Sequence, residues 1–138
     1  MHKFFDKLNE DIIKIREEVF IKEQEFNNEF DEIDENSLLI LYYYNENPVA
    51  TARLYEDLEN KNEYFIGRVA VLKDYRKYGI GKEIIEILEE KVIKLGGNKI
   101  KLSAQKEVER FYKKCGFRRI GDIYYDEWCP HIKMVKDL

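Results

Sequence analysis

A chain of 138 residues can bury one hydrophobic core but not two, so 1–138 is read as a single domain. Hydrophobic residues at 44% and charged residues at 38% exclude a disordered chain, and a net charge of −4 argues against nonspecific binding to nucleic acid. There is no run of about 18 apolar residues to span a membrane. The opening Met1-His2-Lys3-Phe4-Phe5-Asp6 also lacks the apolar stretch of a signal peptide, so a cytoplasmic protein with no membrane partner is expected.

Taken in order, the chain first reads as a helix from Asp6 to about Gln24, because Leu8, Ile12, Ile15 and Val19 recur at spacings of four, three and four and Phe20 extends the stripe. The acidic stretch Glu23 to Asn36 reads as a solvated loop or short irregular helix; the competing reading is a patch that attracts a cationic amine. Ser37 to Tyr44 and Pro48 to Tyr55 form a hairpin around Asn45-Glu46-Asn47-Pro48, and a polar link follows from Glu56 to Glu63. Phe65 to Leu72 is apolar and rich in β-branched residues, which predicts a strand covered on both faces near the middle of a sheet. From Lys82 the period changes, and Ile84, Ile85, Leu88 and Val92 mark an amphipathic helix starting close to Gly81.

Gly96-Gly97 ends that helix, and Lys99 to Ala104 alternates as a strand. Val108, Phe111, Tyr112 and Cys115 mark a short helix closed by Gly116. Phe117 to Tyr125 and His131 to Val135 are two last strands around Asp126-Glu127-Trp128-Cys129-Pro130. Alternating strands and helices with a late hairpin predict an α/β layer fold on a mixed sheet. Cys115 and Cys129 are expected to stay thiols. The spacing of Cys129, His131 and His2 matches no structural zinc pattern, so no metal is expected.

The junction between the middle strand and the long helix carries the chemistry. Gly79 and Gly81 have no side chains, so main-chain amides there can approach a ligand closely. The first turn of the helix presents free N–H groups and about half a positive charge, to which Arg76, Lys77 and Lys82 add full charges. A pyrophosphate is the guest that such a turn suits. It is not a Walker A loop, because Gly81-Lys82 is followed by Glu83 and no glycine stands at Arg76. It is not the dinucleotide fingerprint either, because position 84 is Ile.

Arg76-x-x-Gly79-x-Gly81, preceded by Val69-Ala70-Val71, resembles the coenzyme A loop of the GNAT superfamily of N-acetyltransferases. Phe111-Tyr112-Lys113-Lys114-Cys115-Gly116-Phe117 matches that family's Phe-Tyr-x-x-x-Gly-Phe signature, and the order of elements resembles GNAT from end to end. The resemblance implies a single-domain GNAT fold with a mixed central sheet of six to seven strands flanked by helices. Arg16-x-x-Val19-Phe20-x-x-Glu23-Gln24, Asp31, Asp34, Ala52-Arg53-Leu54 and the tail Glu127-x-x-Pro130-His131-Ile132-x-Met134 look like the ElaA-like branch. Trp128-Cys129 departs from the small pair usual there.

What the resemblance implies is acetyl transfer from acetyl-CoA to a primary amine in a ternary complex. In that family, Val69, Ala70 and Val71 would meet the pantetheine arm and thioester through a bulged strand. Arg76, Lys77, Tyr78, Gly79, Ile80, Gly81 and Lys82 would cradle the pyrophosphate, and Gln105 and Phe111 would complete the coenzyme site. Tyr112 would be the general acid, since a phenol can protonate a leaving thiolate; its alternative is an aromatic packed beside Phe111. Glu23, Glu127 and His131 are the candidates for the base. Arg16 and Arg53 are read as structural ion-pair residues, with a substrate carboxylate as the alternative. The expected partners are acetyl-CoA and an amine, with a homodimer left open. A coenzyme-binding sensor that transfers nothing and an acyl-homoserine lactone synthase are the competing readings.

Overall fold

Strand-forming runs that are apolar on both faces need cover on both sides, and the fold supplies it. The computed structural model describes residues 1–27 and 29–138. It shows seven strands in one sheet: β1 (His2–Phe5), β2 (Leu38–Tyr44), β3 (Asn47–Glu56), β4 (Glu63–Val71), β5 (Lys99–Gln105), β6 (Arg118–Asp126) and β7 (Cys129–Asp137). Their order is β1-β2-β3-β4-β5-β7-β6, with β4 in the middle, and the β4–β5 pair is parallel while its neighbours are antiparallel. Three α-helices flank the sheet: α1 (Glu10–Arg16), α2 (Ile80–Lys94) and α3 (Glu109–Lys114).

Alternation in β2 decides which core each residue joins. Ile40 and Tyr42 face the α2 side, where Ile84, Ile85, Leu88 and Val92 meet Ile100, Leu102 and Met134. Leu39 and Leu41 face the other side, under Ile12, Ile15, Val19 and Phe20. Burying each of these side chains stabilises by roughly 1.5–3 kcal/mol, so both faces are needed.

Three expectations change. The first helix starts at Glu10 rather than Asp6, because Asn9 accepts a hydrogen bond from the Ile12 amide at 2.9 Å and caps it. Residues 2–5 are instead an edge strand paired with β2, from His2 opposite Tyr42 to Phe5 opposite Leu39. The helix then widens into a π-helical turn over Glu17–Glu23, a form that recurs at functional sites. The acidic stretch after it contains the short irregular helix expected, Glu32–Asn36, but is only partly solvated, since Glu29 and Asp34 are buried against arginines. Finally, both hairpin turns shorten to two residues. Asn45 and Glu46 are both left-handed, and β7 already begins at Cys129 after the left-handed Glu127.

Candidate functional site

The site begins where two strands part. β4 and β5 pair over only three residues, Glu63 to Phe65 against Lys99 to Lys101. Beyond them the strands diverge, leaving β4 without a strand beside it on that side. On its other side, two β4 residues, Arg68 and Val69, oppose Ala52 alone, which is a β-bulge. Arg68 takes φ +50°, a left-handed conformation that costs a non-glycine residue roughly 1–2 kcal/mol.

That strained turn is held by charge. Arg68 Nε donates to the Glu29 carbonyl at 3.0 Å and Nη2 to Asp31 at 3.3 Å. Glu29 and Asp31 belong to a wider network. Arg16 donates to Glu29 at 2.6 Å and to Asp34 at 2.7 Å, and Arg53 donates to Asp31 at 2.6 Å and to Asp34 at 3.1 Å. Arg16 and Arg53 are therefore ion-pair residues in the folded chain. Burial pushes the Asp34 carboxyl up, but Arg16 and Arg53 more than offset it and hold the group below the usual range. The network pins residues 29–34 to the bulge. A Cβ on Gly67 would stand 3.3 Å from Arg53 Nε, so a glycine gives this arginine its room.

The parted strands open into a cleft of about 630 Å³. At one end lie the turn Lys73–Tyr78 and the start of α2. Gly79 sits at φ +72°, and no side chain caps the helix, so its first amides remain available. The first-turn Glu83 is drawn aside instead, accepting from the Tyr42 hydroxyl at 2.5 Å, which pushes that phenol up to about 12. A Cβ at Gly81 would stand 3.3 Å from Phe111 Cζ.

The structure brings together most of the residues expected at the coenzyme site. Val69, Val71, Arg76, Gly79, Gly81 and Lys82 line the cleft from one side, and Gln105, Phe111 and Tyr112 line it from the other. Ala70 and Ile80 point into the two cores, so only their main chain faces a ligand. Tyr78 stacks on Tyr44 with ring centroids 4.8 Å apart, and the Lys77 ammonium lies over the Tyr78 ring. Neither side chain is in the cleft wall.

Arg76 has a second role that the sequence did not reveal. Its Nε donates to the Val71 carbonyl at 2.9 Å, and both terminal nitrogens donate to the Glu23 carboxylate at 2.6 Å. This pairing holds the Glu23 carboxyl below its usual range. His131 lines the cleft, nearly buried, with Nδ1 3.0 Å from the Cys129 carbonyl. Glu127 sits at the β6–β7 turn and accepts from Asn27 through its amide and side chain. Burial pushes the Tyr112 phenol well up, so it stays protonated.

Sequence reasoning placed Gln105 at the cleft but missed the contacts along its far wall. Gln105 donates to Gln24 at 2.7 Å, Trp128 stacks on Phe26 with centroids 5.5 Å apart, and Ser103 bonds the Tyr124 hydroxyl across the sheet. Phe26, one of two phenylalanines in an acidic run, and Trp128 in place of a small residue were the visible signals. Cys115 and Cys129 are free thiols. His2 lies on β1, at the opposite edge of the sheet from the β6–β7 hairpin that carries Cys129 and His131. Among the described residues no helix is long and apolar enough to cross a membrane.

The model of the acetyltransferase (GNAT) domain matches residues 7–138. An uncharacterised N-acetyltransferase of Bacillus subtilis, YjcF, is 37% identical over 131 residues, covering 92% of this chain and 91% of that protein. Escherichia coli ElaA superposes with a TM-score of 0.85 at 24% identity over 99% of both chains. An acyl-CoA N-acyltransferase from Pseudomonas aeruginosa superposes at 0.84 and 23%, over 99% of this chain and 97% of its own. These two structures speak to the fold, and the family match and YjcF speak to descent. With a bulged middle strand parting from its neighbour above an uncapped helix, and with these relatives, this chain belongs to the GNAT acetyltransferase family.

Proposed function

We propose that this protein moves an acetyl group from acetyl-CoA to a primary amine of a small molecule or peptide, by direct transfer with both bound together. The observation that carries the reading is the gap between β4 and β5, with a diphosphate-sized nest of amides at Gly79–Lys82 at one end and polar side chains at the other. The pantetheine arm would run along the free edge of β4, and the bulge at Arg68–Val69 would turn main-chain donors toward the thioester oxygen.

Two side chains suit the proton transfers. A carbonyl oxygen can only accept, so the contact of His131 with the Cys129 carbonyl requires the proton on Nδ1 and leaves Nε2 as the atom able to take one. The amine nitrogen attacks the thioester carbon; the C–N bond forms and the C–S bond breaks. One proton passes from nitrogen to His131, and one passes from Tyr112 to the departing sulfur. Solvent then restores both residues. Glu23 remains paired with Arg76 and holds the π-helical turn over the cleft.

The test is thiol release with an amine panel, alongside calorimetry of acetyl-CoA binding. Gly81→Val, whose side chain would press on Phe111 and cover the amides, should weaken binding by at least about tenfold. Tyr112→Phe should keep binding and lose about 100-fold in kcat. Binding with no turnover on any amine would leave only a coenzyme-binding module, and absence of binding would overturn the reading altogether.

A further inference from the structure

The wall of the cleft carries charge that the transfer reaction does not use. Five charged side chains stand in the cleft wall away from Lys82: Glu23, Glu25, Arg68, Arg76 and Glu107. Three of them are already neutralised. Glu23 and Arg76 hold each other, and Arg68 is held by Glu29 and Asp31. Glu25 and Glu107 have no ion-pair partner among the described residues, so two uncompensated negative charges remain, one next to Phe26 and one close enough to push up the Cys129 thiol beside Trp128. Glu25 is presented by a left-handed backbone at φ +61°, directly after the π-helical turn.

The same wall carries an aromatic face. Trp128 is 56% exposed although it lines the cleft. Its indole is fixed on one side by stacking on the buried Phe26 at 5.5 Å. Phe26 in turn packs edge-on to His131 at 6.4 Å, so the indole stands in the same aromatic group as the proposed base. An immobilised indole with a free face beside unpaired carboxylates is the arrangement that attracts an alkylammonium, through the ring quadrupole and the charges together.

We infer that the acceptor carries two cationic nitrogens, as a short aliphatic diamine or polyamine does. One nitrogen reacts at His131 while the other rests against Trp128, between Glu25 and Glu107. This inference deepens the acetyltransferase reading and rests on it. The second ammonium is never deprotonated and takes no part in the chemistry; it sets which amines are held long enough to react.

The experiment compares acetylation of an aliphatic diamine with that of the amino-alcohol of equal length, in which a hydroxyl replaces the second ammonium. The wild-type protein should favour the diamine in KM by about tenfold, and the preference should shrink as salt is raised. In Trp128→Leu and in Glu107→Gln the ratio of the two KM values should fall toward one, and Trp128→Phe should restore part of it. Trp128 is mostly exposed, so these variants are expected to fold. Equal KM values for the two substrates in the wild type overturn the inference and leave acetyl transfer standing. A preference that survives both substitutions overturns it as well. Failure to acetylate either compound while another amine of the panel is acetylated overturns the inference alone, and failure on every amine overturns it together with the reading beneath it.

Discussion

His131 shows how one hydrogen bond can support a proposed chemical role. In sequence it is a histidine among apolar neighbours, equally readable as a buried structural residue. The Cys129 carbonyl 3.0 Å from Nδ1 fixes the tautomer and leaves Nε2 free. His131→Asn can still donate at the Nδ1 position but cannot take a proton. We therefore expect kcat/KM to fall by about 100-fold near neutrality. The deficit should narrow as the pH rises and the amine arrives already deprotonated. A flat deficit across pH, measured by initial rates, would instead mark a packing residue. Glu23 illustrates the opposite outcome. Its position in the motif was legible, but not the bidentate grip of Arg76, which comes from a residue 53 positions away.

Among the elements, those whose period is strong were legible in sequence. The α2 stripe of Ile84, Ile85, Leu88 and Val92 was read as it stands, and so was the run ending Val69-Ala70-Val71. β1 was not, because four residues with His and Lys among them show no period, and only the open edge of β2 makes them a strand. The acidic stretch was half legible: its short irregular helix was expected, but composition does not reveal which carboxylates are buried. Arg16 and Arg53 were read as ion-pair residues, but nothing in the sequence says that Glu29 will be a partner or that Arg68 will join them. Removing one member of such a buried set leaves its partners uncompensated, so Asp34→Ala should cost about 3–5 kcal/mol in urea unfolding. The loss should also be felt at the bulge, as weaker acetyl-CoA binding.

For the whole molecule, the charge pairs set an acid limit. Asp31 and Asp34 have folded-state values below the unfolded one of about 3.9. The stability they add is complete above that value and is lost as the pH falls through the lowered ones. Glu29 has the opposite sign. Burial pushes its carboxyl up despite Arg68 and Arg16, so acid relieves it and offsets part of the loss. The melting temperature should hold from pH 7 to about 5 and drop steeply below about 4. In Asp34→Asn the drop should be shallower. A wild-type melting curve that does not respond to acid would mean that the network contributes no net stability.

The parting of β4 from β5 gives an interior strand the chemistry of a sheet border. The interior strands β2 and β3 are paired on both sides, but along Gly67 to Val71 one side of β4 faces the cleft. Deuterium should therefore enter that stretch sooner than it enters the more deeply buried β2, which is paired on both sides. A threaded coenzyme arm would act as a missing rung and slow the uptake there, before any acyl group has moved.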